Sequence, residues 1–321
     1  MSIVLGAGRA AASSVSAHGG FAGRMVGVMR IVERFCRGKH ADRSLNEDGL
    51  VVTDAFAAVV DGVTGKRARR LWRPSGGVVA KDLLLEAVAG LPRDVTMREA
   101  QRMLDGRLRD EYARCGLAHD GAAARVFETE PWERLQANAV VYSECRREAW
   151  LFGDCQIMVN GIRTPTLKRV DELLGDLRSF AAQALRLQVE SEGPRAGVPS
   201  DAPAPDASRD GSADPARDMI MPFLRLQSEF ANRRGEYGYF VFDGFTDSTW
   251  PVRVVPVEPG DEVVLASDGY PLLRPTLAES ERELDRLRRE DPRLIGEYRT
   301  TKGFTDGLDS FDDRTYLRFV A

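Results

Sequence analysis

Three aspartates share one local grammar: an apolar strand with a carboxylate at one end. Ala57-Ala58-Val59-Val60-Asp61-Gly62 is the first, and Val263-Val264-Leu265-Ala266-Ser267-Asp268-Gly269 is the second. In the third, Asp312-Asp313 stands just before Thr315-Tyr316-Leu317, at a strand start. Gly153-Asp154, in the turn between two short strands, is a fourth candidate. Singly, an Asp-Gly is a turn signal. As a set, the strand-end placement makes a shared cluster the better reading. Gathered carboxylates raise one another's pKa unless something positive neutralises them. Divalent cations are the usual solution, and aspartate-plus-water shells suit hard ions such as Mg²⁺ and Mn²⁺. The glycines after Asp61 and Asp268 let the backbone come close, and the Gly62 carbonyl is itself a candidate ligand.

The elements around these positions alternate between short strands and amphipathic helices. Residues from Val28 to Phe35 alternate as a strand does, His40 to Glu47 reads as a loop, and Leu50 to Val60 reads as a strand pair turning near Thr53 and Asp54. Val78 to Leu91 and Met97 to Tyr112 have helical periodicity, the second opened by a capping box of Thr96 and Glu99. Strands follow at Ala139 to Tyr142, Glu148 to Phe152 and Gln156 to Val159, then a long helix from Leu167 to Leu187. Helices are expected at Met219 to Asn232 and at Leu277 to Glu290. Strands are expected at Tyr237 to Asp243, Val252 to Val257, Asp261 to Ala266 and Thr315 to Val320. The implied class is α+β, with two sheets inside and helices outside.

Two stretches fall outside this pattern. Residues 190–217 are rich in Pro, Ala, Asp, Ser and Gly with almost no large apolar side chain, and are expected to be a disordered insertion. Residues 1–25 are expected to be a disordered tail ahead of a single domain at 26–321. Met25 and Met29 are alternative starts, and a targeting segment is the other reading of this acid-free stretch. Ile3 to Ala11 touches the dinucleotide-binding GxGxxA pattern. The preceding apolar run is too short, no amphipathic helix follows, and the first acidic residue is Glu33, so that site is excluded.

Composition narrows the function classes. The chain of 321 residues has a net charge of −4, which offers no strong positive field for nucleic acid or an anionic membrane. The arginine clusters at Lys66 to Arg73 and Arg282 to Arg289 read as solvated helix faces. No stretch approaches the roughly 18 apolar residues of a membrane span. Cys36, Cys115, Cys145 and Cys155 form no CxxC pair, which fits a cytoplasmic location, and Cys155 reads as a buried structural thiol. His18, His40 and His119 have no helical zinc spacing, and no GxSxG elbow is present.

The ordered set Arg43-x-x-x-Glu47-Asp48, Asp61-Gly62, Gly153-Asp154, Ala266-Ser267-Asp268-Gly269 and Asp312-Asp313-x-Thr315 resembles the motif set of PPM (type 2C) metal-dependent serine/threonine phosphatases, from about Met29 to the C-terminus. The resemblance implies an α/β/β/α sandwich with metals in a cleft at the sheet ends. It implies that Asp61 bridges two metals with the Gly62 carbonyl on the second, and that Asp268 and Asp312 bind the first. Glu47 and Asp48 would hold the second metal's water shell, Asp154 would bind a third, weaker metal, and Arg43 would bind substrate phosphate. The implied cofactor is Mg²⁺ or Mn²⁺ and the implied partner a phosphorylated protein. Departures from the pattern are Val63 in place of a histidine of some members, Gln136-Ala137-Asn138-Ala139 before a central strand, and Cys155-Gln156 after Asp154. A small phosphate ester as substrate, and a non-catalytic binding module of the same fold, are the alternatives.

Overall fold

The computed structural model describes residues 29–65, 71–115, 122–166, 168–192 and 214–321. The tail expected at 1–25, the dinucleotide-like pattern at 3–11, the first residues of the first strand and most of the Lys66 to Arg73 cluster lie outside the described residues. So does most of the expected insertion.

Among the described residues, ten strands form two five-stranded antiparallel sheets. The first sheet has β2 (Asp48–Val52), β3 (Phe56–Gly62), β4 (Ala137–Ser143), β5 (Glu148–Phe152) and β8 (Arg253–Pro256) in that order. The second runs β1 (Arg30–Arg37), β10 (Arg314–Val320), β9 (Glu262–Ala266), β6 (Gln156–Val159) and β7 (Ile162–Thr164). The helices are α1 (Gly76–Ala89), α2 (Met97–Arg114), α3 (Ala122–Thr129), α4 (Arg169–Glu192), α5 (Pro215–Leu226) and α6 (Leu277–Glu290).

The layering follows from the period of two along each strand. In β3, Phe56, Ala58 and Val60 join a core with Leu84 and Val88 of α1 and Leu104 and Leu108 of α2. Ala57 and Val59 face the other way, against Val263 and Leu265 of β9 and Leu317 and Phe319 of β10. A dry seam therefore lies between the sheets, and α1 and α2 cover the outside of the first. Beyond the second sheet, Met158, Val264 and Tyr316 pack with Tyr270 and Leu273, with Leu277 at the start of α6 against them. This is the expected α/β/β/α order.

The capping box of Thr96 and Glu99 opens α2, and a second, of Thr276 and Glu279, opens α6. Other expectations are corrected. Residues 237–243 form no strand; they make only isolated bridges, Ala231 to Tyr239 and Ala137 to Phe242. Their aromatics serve packing instead, with Phe240 and Phe242 in the α-side core. The helix expected from Met219 starts at Pro215, because Asp214 caps it through the Arg217 N–H and proline is tolerated in a first helical turn. Of the expected insertion at 190–217, the described ends are ordered as helix: its first residues continue α4 to Glu192, and Asp214 to Arg217 cap and open α5. The strands β7 and the helix α3 have no counterpart in the sequence expectations.

Candidate metal centre

Asp61 is the sixth residue of β3 and shares the face of Ala57 and Val59, toward the seam between sheets. Across the ladder it stands opposite Asp48 on one side and Asn138 on the other. Gly153-Asp154 turns from β5 to β6 beside Asn138; a Cβ on Gly153 would meet Asn138 Oδ1 at 2.1 Å. Asp268 follows β9 in a turn held by Gln156, whose amide donates to the carbonyls of Ser267 (2.8 Å) and Tyr270 (2.9 Å). Gly269 is obligatory in that turn, since a Cβ would meet the Asp313 carbonyl at 2.0 Å. Asp312 and Asp313 lead into β10. Asp61, Gly62, Asp154, Asp268 and Asp312 therefore line one cleft of about 590 Å³.

Three expected residues do not line it. Glu47 and Asp48 are buried behind the lining. Glu47 accepts from Ser75 Oγ at 2.6 Å, the N-cap of α1, and from Thr64 Oγ1. The N-terminus of α1 comes that close because Gly62 faces Gly77, where a Cβ on Gly62 would stand 2.1 Å from the Gly77 carbonyl oxygen. Arg43 sits in an exposed 3-10 turn, Arg43–Leu45, and the structure does not bring it among the cleft residues.

The cations found beside the carboxylates are lysines that the sequence reading passed over. Lys39 Nζ lies 3.0 Å from Asp312 Oδ1 and 3.4 Å from Asp313 Oδ2. Lys302 pairs with Asp312 from the opposite side. Lys168 Nζ lies 2.7 Å from Asp154 Oδ2. No local pattern marks these lysines; they come from three separate loops. Burial disfavours the charged form of Asp312, but Lys302 and Lys39 outweigh it and hold the carboxyl down at about 2. Among the described residues no ion pair is made by Asp61 or Asp268, although Lys302 offsets part of the shift at Asp268. Burial, and then the neighbouring aspartates, push both well above the usual carboxylate range. Burial likewise pushes Asp48 up to about 7. Cys155 is wholly buried, with its thiol pushed up by burial.

The donor set fits a hard divalent cation: every candidate atom is oxygen, and Asp48 Oδ2, Asn138 Oδ1 and Asp154 Oδ1 are buried without a hydrogen-bond partner. As the side chains stand, no three His, Cys, Asp or Glu among the described residues are grouped to hold an ion. A cation among these carboxylates would offset the repulsion that adds to burial at Asp61 and Asp268.

No family model and no curated protein matches the sequence. Among solved structures the chain is similar to the catalytic domain of the serine/threonine protein phosphatase PstP in complex with two manganese ions, at 19% identity over 91% of this chain and 98% of that one, TM-score 0.42. It is also similar to PppA, a regulatory component of T6SS in Pseudomonas aeruginosa, at 17% identity over 92% and 99%, TM-score 0.41. A third is MsPP, a PPM phosphatase from Mycobacterium smegmatis, at 15% identity over 91% and 99%, TM-score 0.38. The solved structures it resembles are PPM-type serine/threonine phosphatases. At these identities and TM-scores the likeness says nothing of substrate or activity, which rest on the site itself.

Proposed function

We propose that the chain is a phosphomonoesterase dependent on Mg²⁺ or Mn²⁺, acting on phosphoserine or phosphothreonine in proteins. The observation that supports this is the convergence of four strand-end aspartates, Asp61, Asp154, Asp268 and Asp312, on one cleft. Asp61, the Gly62 carbonyl, Asp268 and Asp312 would hold the ions, with Glu47 and Asp48 behind them and Asp154 at a weaker site. Bound there, divalent cations supply acidified water and Lewis-acid stabilisation of phosphoryl charge. The chain's own part is to bind and orient the ester. Arg163, Lys168, Arg217 and Lys302 line the cleft and offer charge-assisted hydrogen bonds to phosphoryl oxygens. Arg43, exposed as it stands, would contribute from the rim. Val63 lines the cleft and has no proton to give a leaving group. No helix among the described residues is long and apolar enough to cross a membrane. A cytoplasmic phosphoprotein partner, with no nucleic acid or membrane, fits the acidic balance of the chain.

Hydrolysis of an aryl phosphate with and without Mn²⁺ tests the reading. Turnover is expected with Mn²⁺ alone and should fall at least about 100-fold in Asp61→Asn and Asp268→Asn. Turnover indifferent to metal, or untouched by both substitutions, sinks the assignment. A panel of phosphopeptides against small phosphate esters then separates protein from metabolite substrates, and binding without turnover would favour a non-catalytic module.

A further inference from the structure

Asp312 is held from two sides by cations of different character. Lys39 is built in: its backbone N–H donates to Asp313 Oδ1 at 2.7 Å, and its ammonium is shared among Asp312, Asp313 and Glu47. Its side chain is only 13% exposed. Lys302 is 30% exposed, lines the cleft, and among the described residues its ion pair is with Asp312 alone.

The backbone behind Lys302 is fixed. Arg178 of α4, 1% exposed, donates to the carbonyls of Arg293 (2.8 Å) and Thr300 (3.1 Å). Ser179 Oγ donates to the Ile295 carbonyl at 2.6 Å, and Arg217 of α5 bonds the Thr301 carbonyl. Gly175 lets Arg299 approach, since a Cβ there would meet the Arg299 carbonyl at 2.7 Å. The pinned backbone thus presents the four-carbon stem of Lys302 to the cleft from a fixed base. Such a stem carries a compact charge that can swing without moving its backbone.

An ammonium on a carboxylate competes with any metal ion for that carboxylate. Once displaced, it stands in the cleft without a partner, beside the space a phosphoryl group would enter. We propose that Lys302 is an exchangeable counter-ion: it holds Asp312 until a divalent cation displaces it, and then binds phosphoryl oxygen of the ester. This rests on the phosphomonoesterase reading of the cleft.

The test measures two equilibria on the full chain: Mn²⁺ binding by calorimetry, and inhibition of Mn²⁺-dependent aryl phosphate hydrolysis by inorganic phosphate. Lys302→Gln should bind Mn²⁺ about tenfold more tightly and be inhibited by phosphate about tenfold more weakly, the scale of one charge-assisted bond lost. Lys302→Met should do the same, while Lys302→Arg stays near the parent in both. Thermal unfolding identifies any variant that fails to fold, and the two neutral substitutions stand in for each other. A purely structural lysine would not move the two affinities in opposite directions. Mn²⁺ affinity unchanged or weakened in both neutral variants overturns the proposal, even where the parent hydrolyses ester normally. Unchanged phosphate inhibition overturns it as well. If the neutral variants bind Mn²⁺ and the parent does not, the counter-ion role is supported and the phosphatase reading is what fails.

Discussion

The two walls of the cleft are held together by different physics. On one side stands the first sheet with α1 and α2 on its back, joined by a continuous apolar core that includes Trp150, Phe152, Leu84 and Leu104. The opposite lip is α4, α5 and residues 291–302. Its apolar patches are small, as with Val170, Leu174, Ile220 and Leu224 between the two helices. What ties that lip to the 291–302 segment is chiefly Arg178, which also pairs with Asp214 at the head of α5. Apolar packing spreads its free energy over many contacts, whereas a buried charge concentrates it in one group whose partners must all be present. The first wall should therefore set global stability and the lip should set local order.

Substitutions that strike each wall can break this contrast. Trp150 is wholly buried between Phe56 and Phe152, with its indole N–H donating to Glu148 Oε2 at 3.1 Å. Trp150→Ala should cost about 4 kcal/mol by lost burial and a cavity. Urea unfolding should show one cooperative transition at lower denaturant, and a cost under about 1 kcal/mol would refute a shared core. Arg178→Ala should cost about 3 kcal/mol at the lip by removing the buried cation shared by Asp214 and the carbonyls of Arg293 and Thr300. Hydrogen exchange should rise across 291–302 and the start of α5 while β3, β4 and β5 keep their protection. Equal loss of protection in the first sheet would show that the walls are one cooperative unit.

A charge is also buried on the apolar wall, and it sharpens the comparison. Asp105 of α2 accepts from the backbone N–H of Gly244 (2.8 Å) and Thr246 (3.0 Å). Burial, then repulsion from Asp243, outweighs those bonds and pushes its carboxyl up to about 6 from an ordinary 3.8. The folded chain holds this proton more tightly than the unfolded chain. Its contribution is fully present below about pH 3.8 and is lost as pH rises through about 6, a change of about 2–3 kcal/mol. In Asp105→Asn the decline over that window should be smaller by that amount. Urea midpoints at pH 4 and pH 6.5 measure it, and an unchanged pH slope would dismiss Asp105 as its source.

The same division governs what the sequence reveals. Strands β5 and β6 fall where their alternation puts them, and the Thr96–Glu99 capping box marks the start of α2, because these signals are local. Asp61, Asp154, Asp268 and Asp312 are legible for the same reason: each sits at the end of a readable strand. Residues 237–243 mislead because alternating aromatics look alike whether they pair in a ladder or only pack, as Phe240 and Phe242 do. Pro215 reads as a breaker although Asp214 makes it a helix start. Lys39, Lys168, Lys302 and Arg178 carry no local signature. Their pairings follow no helical or strand repeat, so only the fold assigns them.

The smallest expected effect lies at the start of α6, on the outer face of the second sheet. Thr276 Oγ1 accepts from the Glu279 N–H, and Glu279 returns a bond to the Thr276 N–H. Glu33 of β1 adds a second anchor by accepting from the Leu277 N–H at 3.3 Å. Thr276→Ala should therefore cost about 1 kcal/mol. The same change at Thr96 also removes a complete capping box, but α2 is fastened elsewhere by Leu104 and Leu108 in the large core. Both variants should lose similar global stability, read from urea midpoints. They should differ in local opening: exchange at Leu277 to Glu281 should rise in the first, while the matching turn of α2 stays protected. Equal fraying at both helices would mean that the cap, and not the core beneath it, decides where a helix opens.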